Sequence, residues 1–244
     1  MNKNITDCVV AVVGSGNVAS HLVKALRSHI KVAEINPRSL ENFPENCDIA
    51  IISVSDRAIE EVASRIAFKA PLTVHTSGSI PATVLQNKAD HYGVCYPMQT
   101  FTKGVDMDYS SIPFFVEGDT DQTLSALKSL AALISESVME ADSEKRRLLH
   151  LASVFVCNFT NHLIHIADTL LQEKGMDYKV LLPLIRQTVN KLSSASPAES
   201  QTGPAARNDL TVVNRHLEML EDKPQLRNIY KKITDSIITQ HELN

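Results

Sequence analysis

Apolar positions in the first half of the chain fall in short, nearly unbroken runs, whereas those of the second half recur at helical spacing. Cys8–Val13 is apolar throughout and breaks directly into Gly14-Ser15-Gly16. Helical patterning then places Leu22, Ala25 and Leu26 on one side. Further β-rich runs are Ile30–Ile35, Asp48–Val54, Pro71–His75, Gly93–Cys95 and Ile112–Val116. Ile59–Phe68 reads as a crossover helix, and another helix is expected from about Gln122 to Ser135. The run at Asp48–Val54 has no polar alternation, as expected of a parallel strand covered on both faces. This alternation predicts an α/β fold with a mostly parallel, doubly wound sheet. Only about a dozen residues separate the second run from the third, too few for a helix, a strand and a second helix. The sheet is therefore expected to be trimmed by one unit there, with direct pairing of those two strands as the alternative.

From Ser143 the pattern becomes helical throughout. Asp142-Ser143-Glu144 is a start signal, with Asp142 or Ser143 as the cap. A long helix is expected to about Lys174, ended by Gly175, and a second over Tyr178–Leu192. Ser193–Pro204 is loop-like, and Leu210–Leu220 and Pro224–His241 read as two more helices. The expected organisation is a nucleotide-binding domain over 1–142 and an all-helical domain over 143–244.

The glycine turn gives the first half its chemistry. Gly14-Ser15-Gly16-Asn17-Val18-Ala19 has the G-x-G-x-x-A spacing of a dinucleotide site. The first glycine permits the tight turn, the second lets backbone approach a pyrophosphate, and the alanine lets helix and strand pack closely. Amide N–H groups at a positive helix end would then face the phosphates. A similar turn without a ligand is the competing reading. At the end of the second strand, NAD sites place an acidic residue on the ribose, whereas arginine accommodates a 2′-phosphate. Asn36, Arg38 and Ser39 occupy that position, and Glu34 lies two residues early inside the strand. NADP is the cofactor these residues favour; Arg38 as a solvated loop charge is the plainer alternative.

Three polar segments are candidates for further chemistry. His75-Thr76-Ser77-Gly78-Ser79 follows a strand at the sheet edge where open α/β sheets bind ligands, and Ser53-Val54-Ser55 should line the same cleft. Ordinary turn chemistry explains such residues equally well. On the long helix, Asn158, Asn161, His162 and His165 share one face by their i, i+3, i+4, i+7 spacing, with His150 upstream. His162 is the natural proton donor or acceptor there, with Asn158 as orienter. The stripe would meet a cofactor, a substrate or a second copy of the same helix. In the third segment, Gln201–Asp209, Thr202 and Arg207 could clamp a carboxylate if the loop folds over the cleft; a glycine–proline turn between helices needs no function and is the plainer reading. No metal is expected, because no acidic or cysteine ligand set accompanies the histidines. Tyr96-Pro-Met-Gln-Thr-Phe101 is a further apolar–polar turn whose role the sequence leaves open.

Composition adds mainly exclusions. A net charge of −4 with no lysine/arginine-rich arm offers no broad footprint for nucleic acid. No apolar stretch approaches the ~20 residues of a membrane span, and Met1–Thr6 has no targeting character. Four scattered cysteines suit free thiols in a reducing cytoplasm.

Five segments together carry a resemblance: Gly14-Ser-Gly-Asn-Val-Ala-Ser-His-Leu22, His75-Thr-Ser-Gly-Ser79, Tyr96-Pro-Met-Gln-Thr-Phe101, Cys157-Asn-Phe-Thr-Asn-His162 and Thr202-Gly-Pro-Ala-Ala-Arg207. In this order they resemble a bacterial family that joins a Rossmann-like domain to a C-terminal helical domain of unknown function. Its members are provisionally described as NADP oxidoreductases, related to pyrroline-5-carboxylate reductase and deazaflavin-dependent NADP reductases. The resemblance implies a homodimer built through the helical half. A more distant likeness is to 3-hydroxyacid dehydrogenases, but Asn158 stands where their catalytic lysine would be. Asparagine orients a carbonyl yet transfers no proton at neutral pH. The expected function is hydride transfer between NADP(H) and a small carbonyl or imine, with Asn158, Asn161, His162 and Arg207 as the substrate-side residues. A non-catalytic NADP-binding sensor is the rival.

Overall fold

The structure, a computed structural model, describes residues 3–242 and divides into two compact units, one ending at Phe159 and the other starting at Thr160. Seven strands of the first unit form one sheet: β1 (Val9–Val13), β2 (Lys31–Ile35), β3 (Ile49–Ile52), β4 (Leu72–His75), β5 (His91–Pro97), β6 (Phe114–Gly118) and β7 (Val138–Glu140). Their spatial order is β2-β1-β3-β4-β5-β6-β7. The first five are parallel, β6 runs antiparallel to β5, and β7 is parallel to β6. Three helices connect them: α1 (Asn17–Leu26), α2 (Ile59–Arg65) and α3 (Asp121–Ala132).

The trimmed sheet is present, and the direct pairing of the second and third strands is not. Both flank β1, with Val10 between Val32 and Ile49. Residues 36–48 link β2 to β3 without a helix. The two strands missed or misjudged in the sequence have simple causes. β7 is three residues long, partly exposed, and carries no apolar run. β5 extends on both sides of Gly93–Cys95, because His91 and Tyr92 pair with Leu72 and Thr73 of β4 while Tyr96 and Pro97 pair with Phe115 and Phe114 of β6.

Period-two alternation sends β1 residues to two cores. Val10 and Val12 join Ile49, Ile51, Leu72 and Val74 under α1 and α3. Ala11 and Val13 join Ile35, Ala50, Ile52 and the Ile59, Val62 and Ala63 face of α2. Coverage of both faces explains why these strands read as continuous apolar runs.

The helical run that begins at α4 (Ser143–Ser153), capped by the Asp142 carboxylate on the Lys145 N–H, passes into a π-helical segment, Val154–Phe159. This part belongs to the sheet unit because fully buried Arg146 ties it down. Arg146 donates to the carbonyls of Ser77 (3.2 Å) and Ile80 (2.6 Å), and pairs with Glu117 of β6. The second unit holds α5 (Thr160–Gln172), α6 (Leu182–Lys191), α7 (Leu210–Met219) and α8 (Pro224–Glu242). Few of its side chains are buried, and large apolar ones including Val180, Leu184, Val189 and Met219 are exposed. Among the described residues, no helix is long and apolar enough to cross a membrane.

Candidate functional site

The C-terminal ends of β1, β3 and β4 open onto a cavity of about 980 Å³ within the sheet unit. Its floor is the glycine turn. A Cβ on Gly14 would collide with the carbonyl oxygen of Ser53 and press on Ala19, so a side chain is impossible there without moving β1 from β3. A Cβ on Gly16 would meet nothing, which leaves the backbone accessible from the cavity. The first intrahelical bond of α1 runs from the Ser20 N–H to the Gly16 carbonyl (3.0 Å). The N–H groups of Asn17, Val18 and Ala19 therefore precede the helical ladder at its positive end, the arrangement that binds phosphate.

One rim carries three arginines, Arg38, Arg57 and Arg65. Arg65 donates to the carbonyls of Pro37 (2.8 Å) and Arg38 (2.6 Å), holding the turn after β2. Asn36 accepts the Arg38 backbone N–H (2.9 Å), which tightens the same turn. The Arg38 side chain is exposed at the cavity edge. Glu34 instead faces Arg27 at 3.6 Å and lines no part of the cavity.

The opposite wall is built by Thr76–Gly78, Tyr96–Thr100 and the helical residues His150, Ser153 and Val156–Asn158. Tyr96 Oη lies 3.2 Å from His150 Nδ1, and the rings meet edge to face at 6.0 Å. A Cβ on Gly78 would sit 2.8 Å from both His150 Nδ1 and Tyr96 Cζ, so the loop approaches this pair as closely as glycine allows. Burial pushes the Tyr96 phenol above its ordinary value, opposed by the Ser153 hydroxyl and the Arg146 charge. On the floor side, the Asn17 amide donates to the Phe101 carbonyl (2.9 Å), tying the Tyr96–Phe101 turn to α1.

His75 is fully buried and does not line the cavity. Its Nδ1 accepts the Ser77 N–H (3.1 Å), and Nε2 faces the Pro81 carbonyl at 3.4 Å. Burial, reinforced by the Arg146 charge, pushes the imidazole down to about 4. It is a neutral organiser of the loop, not a ligand of the cavity.

The comparisons with known proteins follow from this architecture. A family model, the domain of unknown function DUF2520, matches residues 112–237. The crystal structure of BF3122 from Bacteroides fragilis, provisionally described as an NADP oxidoreductase, is 38% identical. It covers 97% of this chain and 100% of its own, with a TM-score of 0.88. This chain belongs to the DUF2520 family. Two more distant structures share its fold. The reductive aminase from Aspergillus terreus, in complex with NADPH, is 11% identical over 96% of this chain and 94% of its own (TM-score 0.69). The Plasmodium falciparum pyrroline carboxylate reductase, with NADP bound, is 10% identical over 98% and 100% (TM-score 0.59). No curated protein matches the sequence.

In this DUF2520 protein the cavity brings together Ser15, Gly16, Asn17, Val18, Arg38, Ser53, Val54, Ser55, Thr76, Ser77 and Asn158 from the sequence-derived set. Gly14 and Ala19 lie beneath it, as packing residues. Asn36 and Ser39 shape the Arg38 turn without lining the cavity; Ser39 accepts from the Glu41 N–H (3.4 Å). Asn161 and His162 are exposed residues of α5 in the second unit. Arg207, also exposed, lies there in the turn before α7, and the neighbouring Thr202, Pro204 and Ala205 line an apolar pocket with α5 and α8 side chains. The reading of the sequence passed over Arg57, Arg65, Tyr96, Arg146 and Ser153. Tyr96 alone had a signal, its place in a turn of no assigned role. Among the described residues, no cluster of metal-binding side chains occurs.

Proposed function

We propose that this DUF2520 protein binds NADP(H) across the glycine turn and reduces, or in reverse oxidises, a small carbonyl or imine. The observation that carries this reading is the cavity floor: three leading N–H groups of α1, an open Gly16 and an unobstructed Arg38 converge on one cleft. That arrangement fits a dinucleotide with an additional phosphate. Asn17, Val18 and Ala19 would receive the pyrophosphate, while Arg38 would fork onto the 2′-phosphate. Arg65 positions Arg38 by holding its backbone. When bound, the nicotinamide supplies the hydride, and the BF3122 relative described as an NADP oxidoreductase supports that chemistry. Ser53, Ser55, Thr76 and Ser77 line the cleft with hydroxyl groups. About 980 Å³ lies at the upper end of ligand-site volumes, roomy enough for an extended cofactor and a small substrate.

No lysine lines the cavity among the described residues, which speaks against hydroxyacid oxidation by a lysine base. An iminium already carries its proton, so imine reduction makes smaller demands. The exposed apolar side chains of the helical unit support a homodimer formed through that unit.

Titration calorimetry with NADPH, NADH and the oxidised forms tests the reading. NADP(H) should bind more tightly than NAD(H). Arg38→Ala should erase that preference, a loss of roughly 10–100-fold for a charge-assisted phosphate contact. Equal affinities in the wild type would move the assignment to NAD. No binding of any dinucleotide would remove it.

A further inference from the structure

Tyr96 is the one tyrosine among the residues lining the cavity, and its hydroxyl lies 3.2 Å from His150 Nδ1 on the helical wall, which Ser153 also lines. Ser153 in turn donates to the His150 carbonyl (2.7 Å). The pair is held from three directions. Phe115 packs on the Tyr96 ring at 6.4 Å, Gly78 closes against both rings, and Arg146 fixes α4 to the loop through the Ser77 and Ile80 carbonyls. The loop carrying Gly78 follows β4, at the sheet edge where open α/β folds place the reacting end of a ligand.

We propose that Tyr96 is the proton donor of the reduction and that His150 resupplies it through Nδ1, a role the glycine of the His75–Ser79 loop exists to accommodate. This rests on the NADP(H)-dependent reading above. For a carbonyl substrate, the carbon gains a hydride from the reduced nicotinamide dinucleotide, and the C=O π pair moves onto oxygen. Oxygen takes the Tyr96 phenol proton, and the phenolate is reprotonated through His150 Nδ1, the replacement proton coming from water. The balance is carbonyl, reduced dinucleotide and one proton giving alcohol and oxidised dinucleotide. Tyr96 is a phenol at neutral pH at its ordinary value, as a donor must be, and burial raises that value further. The charged groups acting on it are the Arg146 guanidinium, which opposes that effect, and the Asp56 carboxylate, which supports it. The π-helical turn fits the same purpose. It brings Val156, Cys157 and Asn158 onto the wall that His150 and Ser153 begin, placing the Asn158 amide where it can orient the reacting group.

The test uses the full-length protein with NADPH and a panel of cyclic imines, 2-oxo acids and simple ketones. Tyr96→Phe should lower kcat by about 100-fold or more while leaving NADPH affinity unchanged within about twofold. His150→Gln should lower kcat less than Tyr96→Phe does. A readout independent of turnover is ¹⁵N-histidine NMR of the free protein. The His150 Nδ1 resonance should report a hydrogen bond that disappears in Tyr96→Phe and in Gly78→Ala. Wild-type kcat in Tyr96→Phe overturns the proposal, as does a loss confined to His162→Ala. NADPH binding without turnover of any panel member also overturns it, since the pair then has nothing to protonate. Failure to bind NADPH strikes the functional reading instead.

Discussion

Arg146→Met is the substitution that most sharply separates this account from one in which the loop after β4 is merely a connection. The wild-type guanidinium is wholly buried and makes three kinds of contact: the Ser77 and Ile80 carbonyls, the Glu117 carboxylate and the Ser143 hydroxyl (3.3 Å). Removing one partner of a buried pair costs about 3–5 kcal/mol, because the other charge is left without compensation. Glu117 keeps 22% of its side chain exposed and still accepts from Ser143. The lower end, about 3 kcal/mol, therefore applies. For a chain of this size that corresponds to a fall in Tm of roughly 6–12 °C. Glu117→Gln added to Arg146→Met should recover about 1–2 kcal/mol, since the stranded charge is then gone. Differential scanning calorimetry of the two single variants and the double variant reads this directly. A Tm of Arg146→Met within about 2 °C of wild type, or a double variant no better than the single, would refute the assignment of Arg146 as the clamp.

Other expectations come from the same geometry. Gly14→Ala should cost at least about 1–3 kcal/mol by forcing β1 away from β3, and should weaken dinucleotide binding; an unchanged melting curve would contradict the close contact with Ser53. His75 has a folded-state value of about 4 against an ordinary 6.5, so the unfolded chain binds the extra proton first as pH falls. Its share of stability, about 3 kcal/mol, is present above pH ~6.5 and lost progressively between ~6.5 and ~4. His75→Asn should flatten the decline in stability across that window, and parallel pH profiles for the two proteins would count against it. Leu184→Glu, on the exposed apolar side of α6, should shift a light-scattering mass from dimer to monomer if the helical unit is the dimer interface. A wild-type monomer at micromolar concentration would dispose of that interface.

The sheet and the glycine turn were legible because both are governed by local rules. A strand covered on both faces is apolar at every position, as in Ile49–Ile52, and a glycine turn at a strand–helix junction has few alternatives. The position of Arg38 at the cavity edge followed from its distance along the chain from the turn. The far wall was legible only in part, through Thr76, Ser77 and Asn158. Tyr96, His150 and Gly78 come from a strand, a helix and a loop that meet only in three dimensions, and nothing in their spacing announces the meeting. Arg146 sits in a first helical turn of mostly charged residues, where it reads as a solvated face, yet it is among the most buried side chains of the unit. His75 misleads in the opposite sense. Its flanking Thr and Ser suggest an exposed ligand loop, whereas the imidazole turns inward and uses its ring nitrogens to shape that loop. Asn161, His162 and His165 are exposed on α5, whereas Asn158 lies in the π-helical segment Val154–Phe159, where the α-helical period that grouped the four residues does not hold.

The most direct test of the central claim is a crystal structure of the protein grown with NADP⁺. The account predicts the pyrophosphate against the N–H groups of Asn17–Ala19, the 2′-phosphate on Arg38, and the nicotinamide beside Gly78 within reach of Tyr96. A dinucleotide bound elsewhere, or lying in the cleft with its adenosine end at Tyr96, would contradict it.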